Sequence, residues 1–193
     1  GYYEGDIRLP QNDAELPQFE EAVRLTRLAG ATVARSVLSG SRRYETWNTL
    51  DQFHAFQDQA AKRLAMVEPI LQRHALKLAI ENHKDLTVEE LSQLMRRISS
   101  EWIGVNVDTG NNLALLDDPY ETVDALAPYA LSVHLKDMAM QELDDGFLLS
   151  EVPCGSGFLD LPRIVATLRK ANADIAFNLE MATRDPLRIP CKT

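Results

Sequence analysis

Four side chains able to ligate a metal, Glu81, Asp108, His134 and Glu180, stand at the C-terminal ends of apolar runs. The runs are Leu76 to His83, Trp102 to Asp108, Ala130 to Lys136 and Asp174 to Met181. Successive candidates lie 27, 26 and 46 residues apart. Each of the first two intervals is about one strand–helix unit, and the third is one unit plus an irregular insert, Asp144 to Gly157. Several carboxylates with one imidazole suit a divalent ion of intermediate hardness such as Mn²⁺, Co²⁺, Mg²⁺ or Zn²⁺. A single acidic residue at a strand end is ordinarily a solvated loop residue or a helix cap. Four at one topological position form a metal-binding set.

The elements that would carry them alternate. An amphipathic helix over Glu15 to Ala29 stops at Gly30 and leads into a β-type run, Ala31 to Leu38. A long helix follows from Thr49 to His74, with Leu50, Phe53, Ala60, Leu64, Val67 and Leu71 among its apolar positions. Thr87 and Glu90 form a capping pair for a helix over Thr87 to Ile98. Further helices are expected at Pro119 to Ala127 and Leu161 to Ala171. Strand alternating with helix predicts an α/β domain with a mainly parallel sheet. The one Gly-rich stretch, Cys154-Gly155-Ser156-Gly157, does not fit the phosphate turn of a dinucleotide-binding sheet. A (β/α) barrel remains, and in such barrels the chemistry sits at the C-terminal ends of the strands.

The 193 residues hold 20 Lys+Arg against 29 Asp+Glu, a net charge of −9. That balance opposes general binding to a phosphate backbone, so no nucleic-acid partner is expected. With 45% hydrophobic and 25% charged residues, the chain is globular in composition and not disordered. No run approaches the roughly 18 apolar residues of a membrane span, so no membrane partner is expected either. Cys154 and Cys191 lack metal-ligand spacing and are expected as reduced thiols in a reducing, cytoplasmic compartment. The opening residues, Gly1-Tyr2-Tyr3-Glu4-Gly5, are neither a signal peptide nor an initiator methionine, as expected of a chain that begins in mid-protein.

Ile80-Glu81-Asn82-His83, Val107-Asp108-Thr109-Gly110-Asn111, Val133-His134-Leu135-Lys136-Asp137 and Leu179-Glu180-Met181 resemble the four metal-strand motifs of the xylose-isomerase-like barrel superfamily. Gly155-Ser156-Gly157-Phe158-Leu159-Asp160 is similar to its Gly-x-Gly-x-x-Asp loop. The superfamily holds sugar phosphate isomerases and epimerases, keto-sugar 3-epimerases, hydroxypyruvate isomerases, inosose dehydratases and type IV DNA-repair endonucleases. The resemblance implies a (β/α)₈ TIM barrel as the single domain of residues 1–193, with the matching strands its fifth to eighth. Ala31 to Leu38 would then be the fourth, and the Tyr2-Tyr3-Glu4 region the end of the third. Such a barrel takes ~250 residues, so the first strands and the far C-terminus are expected to be absent.

The resemblance also implies a divalent-metal-dependent isomerase or epimerase working on a small sugar-derived keto compound through an enediolate. Glu81 and Glu180 would serve both as metal ligands and as general base and acid; Asp108 and His134 would complete the coordination. His83 would reach the substrate or be a loop histidine. Lys136 would pair with a substrate carboxylate or oxyanion, or with its neighbour Asp137. Arg184 would clamp a substrate carboxylate or phosphate, or pair structurally with Asp185. The Arg42-Arg43-Tyr44 run is a second anion-binding candidate, or a solvated surface.

The chain departs from the keto-sugar epimerases at two places. Asn111 stands where they carry a substrate-contacting His, and Met140 where they carry an Arg. Asn111 remains a substrate-binding candidate, but the keto-sugar substrate class is in doubt. A metal-dependent lyase, dehydratase or decarboxylase, on a sugar acid or inosose-like compound is the alternative. A repair nuclease would need more than the four His present, two of which, His54 and His74, fall on helical segments. A homo-oligomer is compatible with everything above.

Overall fold

The computed structural model describes residues 7–181 and 185–191. In chain order these form α1 (Leu16–Leu28), β1 (Val33–Ser36), α2 (Arg43–Thr46), α3 (Leu50–His74), β2 (Lys77–Glu81), α4 (Val88–Ile98), β3 (Ile103–Asp108), α5 (Pro119–Leu126) and β4 (Ala130–Leu135). Then come β5 (Asp137–Leu143), β6 (Gly146–Val152), α6 (Leu161–Ala171), β7 (Ala176–Leu179) and β8 (Leu187–Pro190).

The helices start where the sequence offers a cap. Thr49 accepts from the Gln52 N–H at 3.3 Å, and Asp118 accepts from the N–H groups of Tyr120 and Glu121 at 2.8 and 2.9 Å. At the head of α4, Thr87 and Glu90 cap each other's backbone reciprocally, as their spacing predicts. Pro119 and Pro162 occupy first-turn positions, where a missing N–H costs nothing.

Five strands form one parallel sheet in the order β1-β2-β3-β4-β7, curled as half of a (β/α)₈ barrel. The inner strand β3 is buried along its whole length, as a strand covered on both faces must be. Leu78, Ile80, Val105, Val107 and Val133 of the sheet pack with Leu64, Leu71, Leu91, Leu126 and Leu168 of the helices. Each fully buried side chain of this kind contributes about 1.5–3 kcal/mol. At one edge, the Ile7 N–H donates to Arg35 O at 2.9 Å. There too the buried Arg63 guanidinium donates to the carbonyls of Pro10, Leu9 and Leu38. At the other edge β7 is half-buried, and Leu179 is 71% exposed.

One expectation is overturned. The stretch Asp144 to Gly157 is not simply irregular, because β5 and β6 form an antiparallel hairpin turning at Asp144-Asp145, with Leu143 opposite Gly146. Strand β8 adds to it antiparallel to β6. Tyr2-Tyr3-Glu4 and Arg184 lie outside the described residues. Cys154 and Cys191 are exposed free thiols, and among the described residues no helix is long and apolar enough to cross a membrane.

Candidate active site

Strand register does the positioning. Asp108 lies opposite His134 across β3 and β4, Glu81 closes β2 opposite Asn106, and His134 lies opposite Asn178 of β7. Glu180 is two residues further on, where its N–H donates to Leu135 O at 3.0 Å and extends the ladder past β7. One ligand atom from each of Glu81, Asp108, His134 and Glu180 lies within 4.8 Å of the others. His134 Nδ1 is 2.6 Å from Glu180 Oε2 and 3.6 Å from Glu81 Oε2. Three of the four are buried, while the Glu180 side chain is 34% exposed.

Three carboxylates this close repel one another unless cations hold them. Lys136 Nζ lies 2.8 Å from Asp108 Oδ2, 3.4 Å from Glu151 Oε1 and 3.5 Å from Glu180 Oε2. Arg35, on β1, donates to Glu81 Oε2. Burial, then the Asp108 charge, push Glu81 up to about 7 against the pull of Arg35 and His134. The close His134 contact, opposed by burial and aided by Lys136, draws Glu180 down to about 2. Burial alone would lower Lys136, but Asp108, Glu180 and Glu151 outweigh it and hold its pKa above the usual lysine range.

Asp108 is aimed by its own neighbourhood. The Asn82 side chain donates to the Asp108 carbonyl at 2.9 Å and accepts the Asp108 N–H at 2.7 Å. The N–H groups of Gly110 and Asn111 both donate to Asp108 Oδ1 at 2.9 Å. Asp108 Oδ2 and Glu180 Oε2 are buried and face cations without a hydrogen bond of regular geometry. Buried oxygen lone pairs left over from protein hydrogen bonding, with an imidazole beside them, are what a divalent ion takes. The four residues fit such an ion.

Ion binding has to displace the proton that Glu81 holds below pH 7. Mg²⁺ or Mn²⁺ affinity is therefore expected to weaken about tenfold per pH unit below 7 and to level off above it. Calorimetric titration between pH 5.5 and 8 checks this, and a flat profile would show that Glu81 is already ionised across that range.

Above the cluster opens a cavity of about 660 Å³ lined by His83, Lys84, Asn111, Met138, Leu149 and Glu151, among others. That is the size of a small-molecule site. Burial, then the neighbouring Lys84 charge, push His83 down to about 4, so its ring is neutral. Its Nδ1 is buried without a hydrogen-bond partner among the described residues. Asn111 donates its amide to Glu81 Oε1 at 3.0 Å and accepts from Lys84 Nζ. Lys136 pairs with Asp108 and not with its neighbour Asp137. Asp137 instead accepts from the N–H groups of Met138, Gly155, Gly157 and Leu159. It thereby pins the glycine loop, and a Cβ on Gly157 would fall 2.2 Å from its Oδ1. Of the arginine run, Arg42 lines the cavity. Arg43 turns away, bonding Glu90 at 2.6 Å and lying 3.8 Å over the Phe53 ring.

A family model described as xylose isomerase-like TIM barrel matches residues 5–190. The chain belongs to the xylose isomerase-like TIM barrel family. Among curated relatives, the 3-oxo-isoapionate decarboxylase of Pectobacterium atrosepticum is 29% identical over 121 residues, 62% of this chain and 44% of that protein. The chain spans less than half the length of the curated relatives it matches. Among solved structures, a xylose isomerase-like TIM barrel protein from Mycobacterium smegmatis in complex with magnesium superposes with a TM-score of 0.71 at 16% identity, covering 94% of this chain and 67% of that one. The structure of L-ribulose 3-epimerase gives a TM-score of 0.69 at 18% identity, covering 95% of this chain and 63% of that one. Proteins of this fold thus include an epimerase, and the family reaches a named decarboxylase.

Within this xylose isomerase-like barrel, sequence reasoning overlooked Arg35, Lys84 and Glu151. Arg35 meets Glu81 from 46 positions away, and no local pattern announces such a pair. Lys84 follows directly on the Glu81-Asn82-His83 motif, a signal that was available.

Proposed function

We propose that the chain carries the metal centre and proton-transfer residues of a divalent-metal-dependent isomerase or epimerase acting on a small sugar or sugar-derived keto compound. One observation supports this most: Glu81 and Glu180 reach one ligand set from different sides, Glu81 at the end of β2 and Glu180 just past β7, with β3 and β4 between those strands. Two carboxylates that meet one centre from two directions can serve as its base and its acid. A divalent ion held by Glu81, Asp108, His134 and Glu180 would supply Lewis-acid polarisation of a substrate carbonyl and the hydroxyl beside it.

The protein's own groups do the rest. Glu180, ionised and partly exposed, takes the proton from the carbon next to the carbonyl. Glu81, on the other side of the site because β2 and β7 are separated by β3 and β4, is the second carboxylate placed to exchange a proton with the substrate. Asn111 keeps Glu81 oriented, and neutral His83 forms part of the cavity wall. His83, Asn111 and Lys136 are the substrate-binding residues of this reading, together with Arg184, which follows Glu180 by four positions in sequence.

A second reading, a lyase on a sugar acid or inosose-like compound, is favoured by the decarboxylase name of the Pectobacterium relative. The same enediolate would then expel water or carbon dioxide. Proton NMR in deuterated water, with added Mg²⁺ or Mn²⁺ and a panel of keto-sugars, sugar acids and inososes, separates the two. Exchange of an α-hydrogen without loss of mass is expected for the isomerase. Loss of water or carbon dioxide would give the lyase. A panel that shows neither overturns both.

A further inference from the structure

We propose that Lys84 forms a carboxylate-binding subsite beside the metal set, so that the substrate of this site is an acidic sugar derivative. This rests on the function proposed above and adds the substrate's charge to it.

Lys84 lines the cavity, and its Nζ donates to Asn111 Oδ1 while the amide nitrogen of Asn111 donates to Glu81. One side-chain amide therefore separates the ammonium from the metal set. The other cations at the cavity and its floor have carboxylate partners: Arg42 pairs with Glu45 at 2.8 Å, Arg188 with Asp145 at 2.6 Å, and Lys136 with Asp108 at 2.8 Å. Among the described residues Lys84 meets no carboxylate at ion-pair distance. Its one hydrogen bond goes to a neutral amide. The carboxylates of Asp108, Glu151 and Glu81 attract this half-buried ammonium only from beyond ion-pair distance, against the repulsion of Lys136, and a ligand carboxylate would give it a direct partner.

The backbone supports the same assignment. Lys84 has φ +62°, in the left-handed region. The other non-glycine residues there, Ala75, Ser99 and Leu116, each cap the end of a helix. Lys84 caps none, and its carbonyl is held by the Arg43 N–H at 3.0 Å. Strain maintained by surrounding contacts at the wall of a cavity is typical of a position kept for its side chain's task. Beside it, His83 lines the same cavity, and its Nδ1 is buried without a partner among the described residues. A carboxylate oxygen or a polyol hydroxyl suits the pair.

The anion is a carboxylate and not a phosphate. Glu45, Glu151 and Asp185 also line the cavity, and their repulsion acts twice as strongly on a dianion as on a monoanion. A phosphate would also call for several converging donors or an arginine fork, whereas Lys84 offers one point charge.

The test uses ligand-observed NMR titration of the Mg²⁺-loaded protein with D-threonate, a four-carbon sugar acid, and threitol, its uncharged counterpart. Wild type is expected to bind threonate at least about tenfold more tightly. Lys84→Gln and Lys84→Gly are expected to bring the ratio close to one. Glutamine at a φ of +62° is no more strained than the lysine it replaces, and glycine adopts that φ freely, so both variants keep the backbone. No preference for threonate in wild type, or a preference that survives both substitutions, overturns the proposal. So does a Lys84-dependent preference for threitol 4-phosphate over threonate. If wild type fails to bind Mg²⁺ at all, the metal-dependent function falls on its own. The threonate-to-threitol ratio without metal then still decides the role of Lys84.

Discussion

Glu180→Gln is expected to lower turnover by roughly 10²–10⁴-fold, the usual contribution of a general acid or base, and to stay low in saturating Mn²⁺. The substitution keeps the size of the side chain and one ligating oxygen but removes the basic carboxylate. Metal affinity should weaken only moderately. His134→Asn is the control: its activity should fall in proportion to lost metal, and excess Mn²⁺ should restore much of it. The measurement is the rate of α-hydrogen exchange in deuterated water as a function of metal concentration. Near-wild-type turnover of Glu180→Gln at high metal would make this glutamate a ligand only, and the two-carboxylate mechanism would have to be dropped.

The second large effect is on stability. The Lys136 side chain is 3% exposed and its partner Asp108 is fully buried. Lys136→Met would leave Asp108 beside Glu81 and Glu180 with no ammonium among them. Removing one partner of a buried pair costs about 3–5 kcal/mol, which for a chain of this size is a fall of about 6–20 °C in Tm. The loss should be confined to the metal-free protein. A divalent ion brings the positive charge that Lys136 otherwise supplies, so saturating Mg²⁺ should recover most of it. Thermal melts with and without Mg²⁺ check both halves. A metal-free variant that melts within about two degrees of wild type would show that the pair does not hold the cluster.

How far the sequence carried the fold depends on how local each signal is. Apolar runs placed β2, β3 and β4 to within two residues at either end, because strands buried on both faces read as unbroken hydrophobic stretches. The Thr87–Glu90 capping pair placed the start of α4 for an equally local reason. The hairpin escaped because β5 has only its first two residues buried and then carries Met140, Gln141 and Glu142 outward. The Asp144-Asp145-Gly146 run, whose two aspartates make the turn, was the overlooked signal.

For the site, four candidate ligands at four strand ends were legible because the parallel barrel repeats one geometry. What holds them was not. Lys136 chose Asp108 on the next strand over Asp137 next to it in sequence, and Asp137 was already engaged by four backbone N–H groups. Only the three-dimensional register tells those two aspartates apart.

The pairing of β8 with β6 ties two parts of the protein into one mechanical unit. Met138, Leu149 and Glu151 of the hairpin form one wall of the cavity, and β8, which begins seven residues after Glu180, is stitched to that hairpin through Phe147–Ile189 and Leu149–Leu187. A molecule held in the cavity therefore leans on two stretches of chain at once, the hairpin and β8, which their shared ladder fastens into one panel.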